Sequence, residues 1–335
     1  MKRAKRAQHA VPTLRLSVVI PTYLRPDWIG RAVRSLARQE MPPLEVIAVA
    51  RDTDHATHNA IRALQADQLP FSLRMAVVAE PGFMPPVKEG IGAAMGDVVA
   101  IMDDDAEAEA GWVVGLLRHY SDPCVGAVGG RCINMLGERP VEEGAARRVG
   151  FVNLRGHFIG NMYKRPTFQG PVDVEFLMGG CMSYRRDVAR ALEFDPELNH
   201  NVAFSYEVDL GLQVRYMGLR VLFDPDVAIR HYSAPRQVIG ARNPDDLEAV
   251  YWCSFNETRI AWRRLPKWRS LLALAWRVLV GERRTPGLLL WATGAFVPAL
   301  GVRRDNARPA LAGRVAAIKR SVNCTDADRD RPSRP

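Results

Sequence analysis

The amino-acid sequence predicts an α/β protein: a mainly parallel central sheet flanked by helices, followed by a C-terminal helical appendage. Two observations carry this. Short β-branched runs recur at 16–20, 46–50, 74–79 and 98–102, and the gaps between them have helical periodicity, the alternation that parallel strands require of their crossovers. After about Asn243 the composition shifts to Trp, Leu and Arg, which marks a separate helical region.

The clearest helix follows Asp27. Ile29, Ala32, Val33, Leu36 and Ala37 repeat at i, i+3, i+4, i+7 and i+8, Arg31, Arg34 and Arg38 fall on the other face, and Pro42-Pro43 stops the run. Weaker helices are expected over 56–69 and 87–95, and a good one over 112–120. From about Val125 the texture turns to Gly-rich turns and a polar stretch over 137–150, then a helix over 207–216 and a strand over 219–223. The expected division is a basic tail at 1–13, one α/β domain over 14–242 with halves 14–122 and 123–242, a helical region over 243–322 and a disordered tail at 323–335.

With 335 residues and 47% hydrophobic content the chain has ample material for a core, which excludes disordered, collagen-like and small disulfide-scaffold classes. The net charge of +9 is unevenly spread: residues 1–15 carry five basic and no acidic side chains, 257–335 carry seventeen basic and six acidic, and the body over 16–256 stands at −7. Basic ends on an acidic body fit an anionic phospholipid face better than a nucleic-acid groove, and no nucleic-acid partner is expected. Cys124, Cys132, Cys181, Cys253 and Cys324 are odd in number and never form C-x-x-C, which fits a reducing compartment without structural zinc. The basic start lacks an apolar signal core, and Arg277 and Pro298 interrupt the two most apolar stretches. The expected location is cytoplasmic, peripheral at the inner face of the cell membrane.

The most informative feature is the strand at 98–102 running directly into Asp103-Asp104-Asp105. In an open α/β sheet ligands bind outside the carboxyl ends of the strands, so these carboxylates face a cleft. Adjacent carboxylates repel unless a cation or solvent screens them; Mg²⁺ or Mn²⁺ would relieve the repulsion using one or two carboxylates plus phosphate oxygens. A solvated acidic turn is the plainer alternative, and the buried strand before it weighs against that. Gly90 to Gly96 looks like G-x-G-x-x-G, but Met95 fills the third glycine position and the run precedes its strand, so it reads as helix packing with a glycine stop. No Walker A sequence occurs.

Taken in order, Ser17-Val18-Val19-Ile20-Pro21-Thr22-Tyr23-Leu24-Arg25, the run from Glu45 to Asp54, Met102 to Asp105, Gly179-Gly180-Cys181-Met182-Ser183-Tyr184-Arg185-Arg186, Glu207-Val208-Asp209-Leu210 and Asp224-Pro225 to His231 resemble the landmarks of family 2 glycosyltransferases with the GT-A fold. The resemblance covers about residues 14–235. It implies a nucleotide-diphospho-sugar donor, a divalent metal and inversion at the anomeric carbon, with 14–122 as the nucleotide-binding half and 123–242 as the acceptor and catalytic half.

Carried across by position, the resemblance puts Pro21, Thr22 and Arg25 at the nucleotide and Asp52 or Asp54 at the base or ribose, since Ala50-Arg51-Asp52-Thr53-Asp54 departs from the usual acidic pair with Gly and Ser. Asp103 and Asp105 map to the metal-binding D-x-D element, with Asp103 and Asp104 also on the donor side. Lys88 stands where a cation can meet the diphosphate; a solvent-facing helix lysine is the alternative. Inverting transfer needs a carboxylate base for the acceptor hydroxyl. The family's acidic pair corresponds to Tyr206 and Glu207, so Glu207 is expected as base and Asp209 as a carboxylate favoured by the helix dipole. His231 is a metal or diphosphate ligand, or an ordinary histidine after a strand. Gly180 lets a backbone approach the donor sugar, or makes a plain turn. His55 and His58 read as helix surface.

In the tail, Trp252, Trp262, Trp268, Trp276 and Trp291 are interleaved with arginines and Lys267, a mixture that suits the lipid headgroup layer or a helical cap on the catalytic domain. The combined expectation is an inverting glycosyltransferase acting on a glycan or lipid-linked acceptor in cell-surface polysaccharide synthesis. The alternatives are a catalytically silent nucleotide-sugar or carbohydrate binding protein on the same fold, and an RNA-binding protein led by the basic ends.

Overall fold

The computed structural model describes residues 14–200, 203–234 and 246–328. Four strands fall within two residues of the expected runs: β1 (Leu16–Thr22), β2 (Glu45–Arg51), β3 (Ser72–Val78) and β4 (Val98–Met102). They pair in the order β3-β2-β1-β4, all parallel, joined by α1 (Pro26–Ala37), α2 (His55–Gln65) and α3 (Met84–Ala93). Alternation along β1 sends Val19 to one core and Leu16, Val18 and Ile20 to the other, so helices cover both faces of the sheet. A Cβ on Gly90 of α3 would lie 2.2 Å from Val19, so this glycine serves close helix packing, as the sequence predicts.

After β4 come the short β5 (Ala106–Ala108), α4 (Trp112–Leu117) and β6 (Val125–Leu136). Strand β7 (Cys181–Arg185) then inserts antiparallel between β4 and β6, which makes the sheet mixed beyond β4. The sequence reading held this segment only as a glycine landmark. Helices α5 (Arg186–Ala191) and α6 (Tyr206–Tyr216) lead to β8 (Arg220–His231), parallel to β6. The sequence predicts β8 only over 219–223, because Pro225 cannot donate to a ladder. A register shift between Asp224 and Ala228 absorbs the proline, and the strand runs on to His231.

The tail folds as α7 (Leu247–Arg264), α8 (Lys267–Leu279), α9 (Leu288–Phe296) and α10 (Ala307–Asp328). Helix α7 packs on α6 and α10, and its arginines reach the α/β body. Arg259 binds Asp195 at 2.6 and 3.1 Å, and Arg264 binds Asp209 at 2.7 and 3.1 Å. Asp209 stands in the first turn of α6, as the sequence predicts, and is also a buried anchor for the tail. Helix α10 continues to Asp328 where a disordered tail was expected from 323, since a growing helix adds each further residue at little cost. The basic tail at 1–13, the boundary at 242–243 and residues 329–335 lie outside the described residues.

Candidate active site

Strands β1 and β4 end side by side, and their carboxyl ends carry Thr22 and Asp103-Asp104-Asp105. Gathered there are Asp103, Asp105 and, from the end of β8, His231, each offering a ligand atom within 4.8 Å of the others. His231 Nε2 lies 3.3 Å from Asp105 Oδ1 and 3.9 Å from Asp103 Oδ2. Its Nδ1 lies 3.3 Å from Asn134 Oδ1 on β6 and from Ser233 Oγ, contacts that orient the ring with Nε2 toward the carboxylates. Two carboxylates and one imidazole match the donor set of Mg²⁺ or Mn²⁺ with positions left for substrate oxygens, so these residues fit the metal that the sequence implies.

Arg25 governs the acidic loop. It donates to Asp104 Oδ1 at 2.7 Å, to Asp105 Oδ2 at 3.1 Å and to the Ala234 carbonyl at 3.2 Å. Thr22 Oγ1 donates to Asp104 Oδ2 at 2.8 Å, so both oxygens of Asp104 are taken by protein groups. Burial pushes the Asp104 carboxyl up to about 6 against the pull of Arg25. Asp105 is held down at about 2: burial opposes this, but the His231 hydrogen bond and charge, Arg25 and the Ala234 N–H outweigh it. Thr22 and Arg25, expected at the nucleotide, thus hold the acidic loop in this structure, and Asp104 is a buried strut of the same network.

Gly180, just before β7, has φ +79, and a Cβ there would lie 2.4 Å from Asp103 Oδ2. The space beside its backbone is taken by the Asp103 carboxylate. Of the two candidate base-reading carboxylates, Asp54 is buried as the N-cap of α2, accepting from the Thr57 and Leu24 amides, while Asp52 is exposed. Pro21 is buried at the end of β1, and Lys88 is exposed on α3. His58 corrects its surface reading: it is buried with Nε2 2.8 Å from the Arg51 carbonyl, because α2 turns that face to the sheet.

Glu207 stands in the first turn of α6, after Ala203 and Ser205 at left-handed φ values of 49° and 62°. Such strain in non-glycine residues aims the helix start and marks a constrained site. Glu207 is partly exposed; loss of hydration pushes its carboxyl up to about 7, its own backbone N–H pulls it down, and the Asp103 charge adds to the rise. Beside it, the buried Tyr206 hydroxyl finds no hydrogen-bond partner among the described residues, with its ring 5.1 Å from that of Phe83. Asn134 and the Ala234 backbone carry no local motif: the β6–β8 pairing sets Asn134 opposite His231, and Ala234, three residues past His231, gives its N–H to Asp105 and its carbonyl to Arg25. The arrangement offers three convergent cation ligands and a carboxyl raised to about 7 at one end of the sheet.

A family model described as Glycosyl transferase family 2 matches residues 17–192. No curated protein matches the chain. Among solved structures, the mannosyltransferase PcManGT from Pyrobaculum calidifontis, in complex with GDP-Man and Mn²⁺, is similar with a TM-score of 0.55 and 17% identity over 95% of this chain and 91% of that one. S. aureus TarS 1-349 is similar with a TM-score of 0.57 and 14% identity over 93% of this chain and 83% of that one. GalNAc-T7 with UDP, GalNAc and Mn²⁺ is similar with a TM-score of 0.56 and 16% identity over 76% of this chain, which spans about half (52%) of that longer protein. At these identities the likeness shows the fold, the one the sequence landmarks predict.

Proposed function

The chain belongs to glycosyl transferase family 2, and on that premise we propose that it moves a sugar from a nucleoside-diphosphate donor to a glycan or lipid-linked acceptor, with inversion at the anomeric carbon. The observation that carries this reading is the convergence of Asp103, Asp105 and His231 at the strand ends, with the Glu207 carboxyl near enough for Asp103 to raise its pKa. Complexes of similar structures with UDP or GDP-Man and Mn²⁺ support a donor of this class.

Glu207 accepts the proton of the acceptor hydroxyl as that oxygen bonds to the anomeric carbon; the bond from that carbon to the diphosphate oxygen breaks, and its electron pair leaves with the nucleoside diphosphate. A pKa near 7 matches this task, since about half of the carboxyl is ionised at neutral pH and it is basic enough to draw the proton. A divalent cation held by Asp103, Asp105 and His231 would neutralise charge on the departing diphosphate. Arg25, Thr22 and Asp104 hold the metal-binding carboxylates in place, and exposed Asp52 is the carboxylate left available to the base or ribose. Lys88 on α3 is a further cation for the donor. The acceptor belongs to cell-surface glycan synthesis at the inner face of the membrane, the setting that the basic ends favour.

The test is thermal stabilisation by a panel of nucleotide sugars with and without Mn²⁺. A ligand present at 100 times its Kd stabilises the folded state by about 2.7 kcal/mol. The expected result is one donor that stabilises only with Mn²⁺ and loses that effect in Asp105→Asn. No stabilisation by any donor would overturn the reading.

A further inference from the structure

Helix α9 has the sequence LLLWATGAF, carries no charge, and buries none of its nine side chains. Helix α8 packs beside it and turns Ser270, Ala273 and Arg277 inward, leaving Trp268, Leu271 and Leu279 on its outer side. Trp268 is 62% exposed, and Phe296 of α9 is 86% exposed. Scattered exposed apolar residues need no explanation, but two packed helices that each expose several large apolar side chains do. The hairpin is not a loose end: Arg269 donates to the Val152 carbonyl at 2.9 Å and Arg277 to the Gly156 carbonyl at 2.6 Å.

Charge identifies the occupant. From 265 to 304 the chain has seven basic residues and one acidic residue, Glu282, which pairs with His157 at 2.6 Å. Exposed Arg283 and Arg284 form the turn between the helices, exposed Lys267 is the first residue of α8, and Arg304 lies 5.0 Å over the Trp291 ring. A second copy meeting this face about a twofold axis would set its cationic rim against the same rim. An apolar centre, indoles near the edge and a cationic border match an anionic phospholipid surface. Among the described residues no helix is long and apolar enough to cross a membrane, so a bilayer contact by this hairpin would be in the interface plane.

We propose that α8 and α9 form a bilayer-seating face, with Trp268, Leu271, Leu279, Leu288, Trp291 and Phe296 among the acyl chains and the rim cations at the lipid phosphates. Its role in bringing the enzyme to a lipid-borne acceptor rests on the transferase reading above, whereas the face itself does not.

The test is sedimentation of the full chain with sucrose-loaded vesicles of phosphatidylcholine, alone or mixed with phosphatidylglycerol. The expected result is binding to the anionic vesicles that weakens with salt and falls about tenfold or more in the double variant Leu288→Glu, Phe296→Glu. Arg283→Glu with Arg284→Glu is expected to abolish the preference for anionic over neutral vesicles. Thermal stability and the donor-dependent shift with Mn²⁺ remain those of the wild type in both variants, which separates failure of the face from failure of the catalytic reading. Absence of wild-type binding, or binding unchanged by the Leu288 and Phe296 substitutions, overturns the proposal. So does a dimer in sedimentation equilibrium that those substitutions dissolve, since a second copy then covers the face.

Discussion

Gly180 and Asp103 share one space: the Cβ that Gly180 lacks would lie 2.4 Å from Asp103 Oδ2. Its φ of +79 adds a second demand for glycine. Gly180→Ala is therefore expected to displace the Asp103 carboxylate and weaken Mn²⁺ affinity about tenfold or more, the range found when groups that orient metal ligands are altered. The backbone penalty should cost about 1–2 kcal/mol. Calorimetric titration with Mn²⁺ and urea denaturation read the two effects separately, and wild-type affinity would show that this contact does not fix Asp103.

Glu207→Gln is expected to lower turnover about 10²–10⁴-fold with donor binding retained, as loss of a general base requires. In the wild type, kcat should rise with pH through about 7 and then level, since Glu207 must be ionised to act. The groups facing it are Asp103, whose charge raises its pKa, and the hydroxyls of Tyr184 and Tyr206. The folded chain holds the Glu207 proton up to about 7, whereas the unfolded chain releases it near 4.5, so stability from this group falls as pH rises between those values. At pH 8 the glutamine variant should be more stable by about 1–3 kcal/mol. A flat pH–rate profile in the wild type would remove Glu207 from the role of base.

Arg264→Met leaves the buried Asp209 carboxylate with Gln213 Nε2, 2.8 Å away, as its remaining side-chain donor. Breaking a buried pair on one side costs about 3–5 kcal/mol, whereas replacing both members by apolar groups is often neutral. The double variant Arg264→Met, Asp209→Leu should recover most of the single loss in a urea-denaturation cycle. Simple additivity of the two losses would show that the pair does not couple.

Tyr206→Phe removes a buried hydroxyl that finds no partner among the described residues. The free protein should lose no stability and gain up to about 1 kcal/mol, because an unsatisfied buried polar group disappears. If that hydroxyl bonds the substrate, turnover should fall about tenfold in the same variant. Steady-state kinetics beside a thermal melt separates the two roles, and a melting temperature lowered by several degrees would show an unseen structural bond.

Legibility followed locality. Strands β1 to β4 carry unbroken apolar runs bounded by turn residues, so period and composition expose them, and the acidic loop is visible because it directly follows one of them. Strand β7 and the second half of β8 were hidden: the first is a five-residue strand in a Gly-rich setting, and the second is interrupted by Pro225. That Asp54 rather than Asp52 caps α2 is a matter of hydrogen bonds that spacing alone does not give. The contacts that Arg25 and Asp209 make span 79 and 55 residues of sequence, so no local pattern could assign their partners.

The guanidinium of Arg25, bonded to two neighbouring aspartates, is a resident counterion. The chain does not wait for a visiting ion to give the loop its shape; the mould is set before anything is poured. Starved of manganese, such a protein would fall idle without coming apart, and would resume work on resupply with no refolding delay.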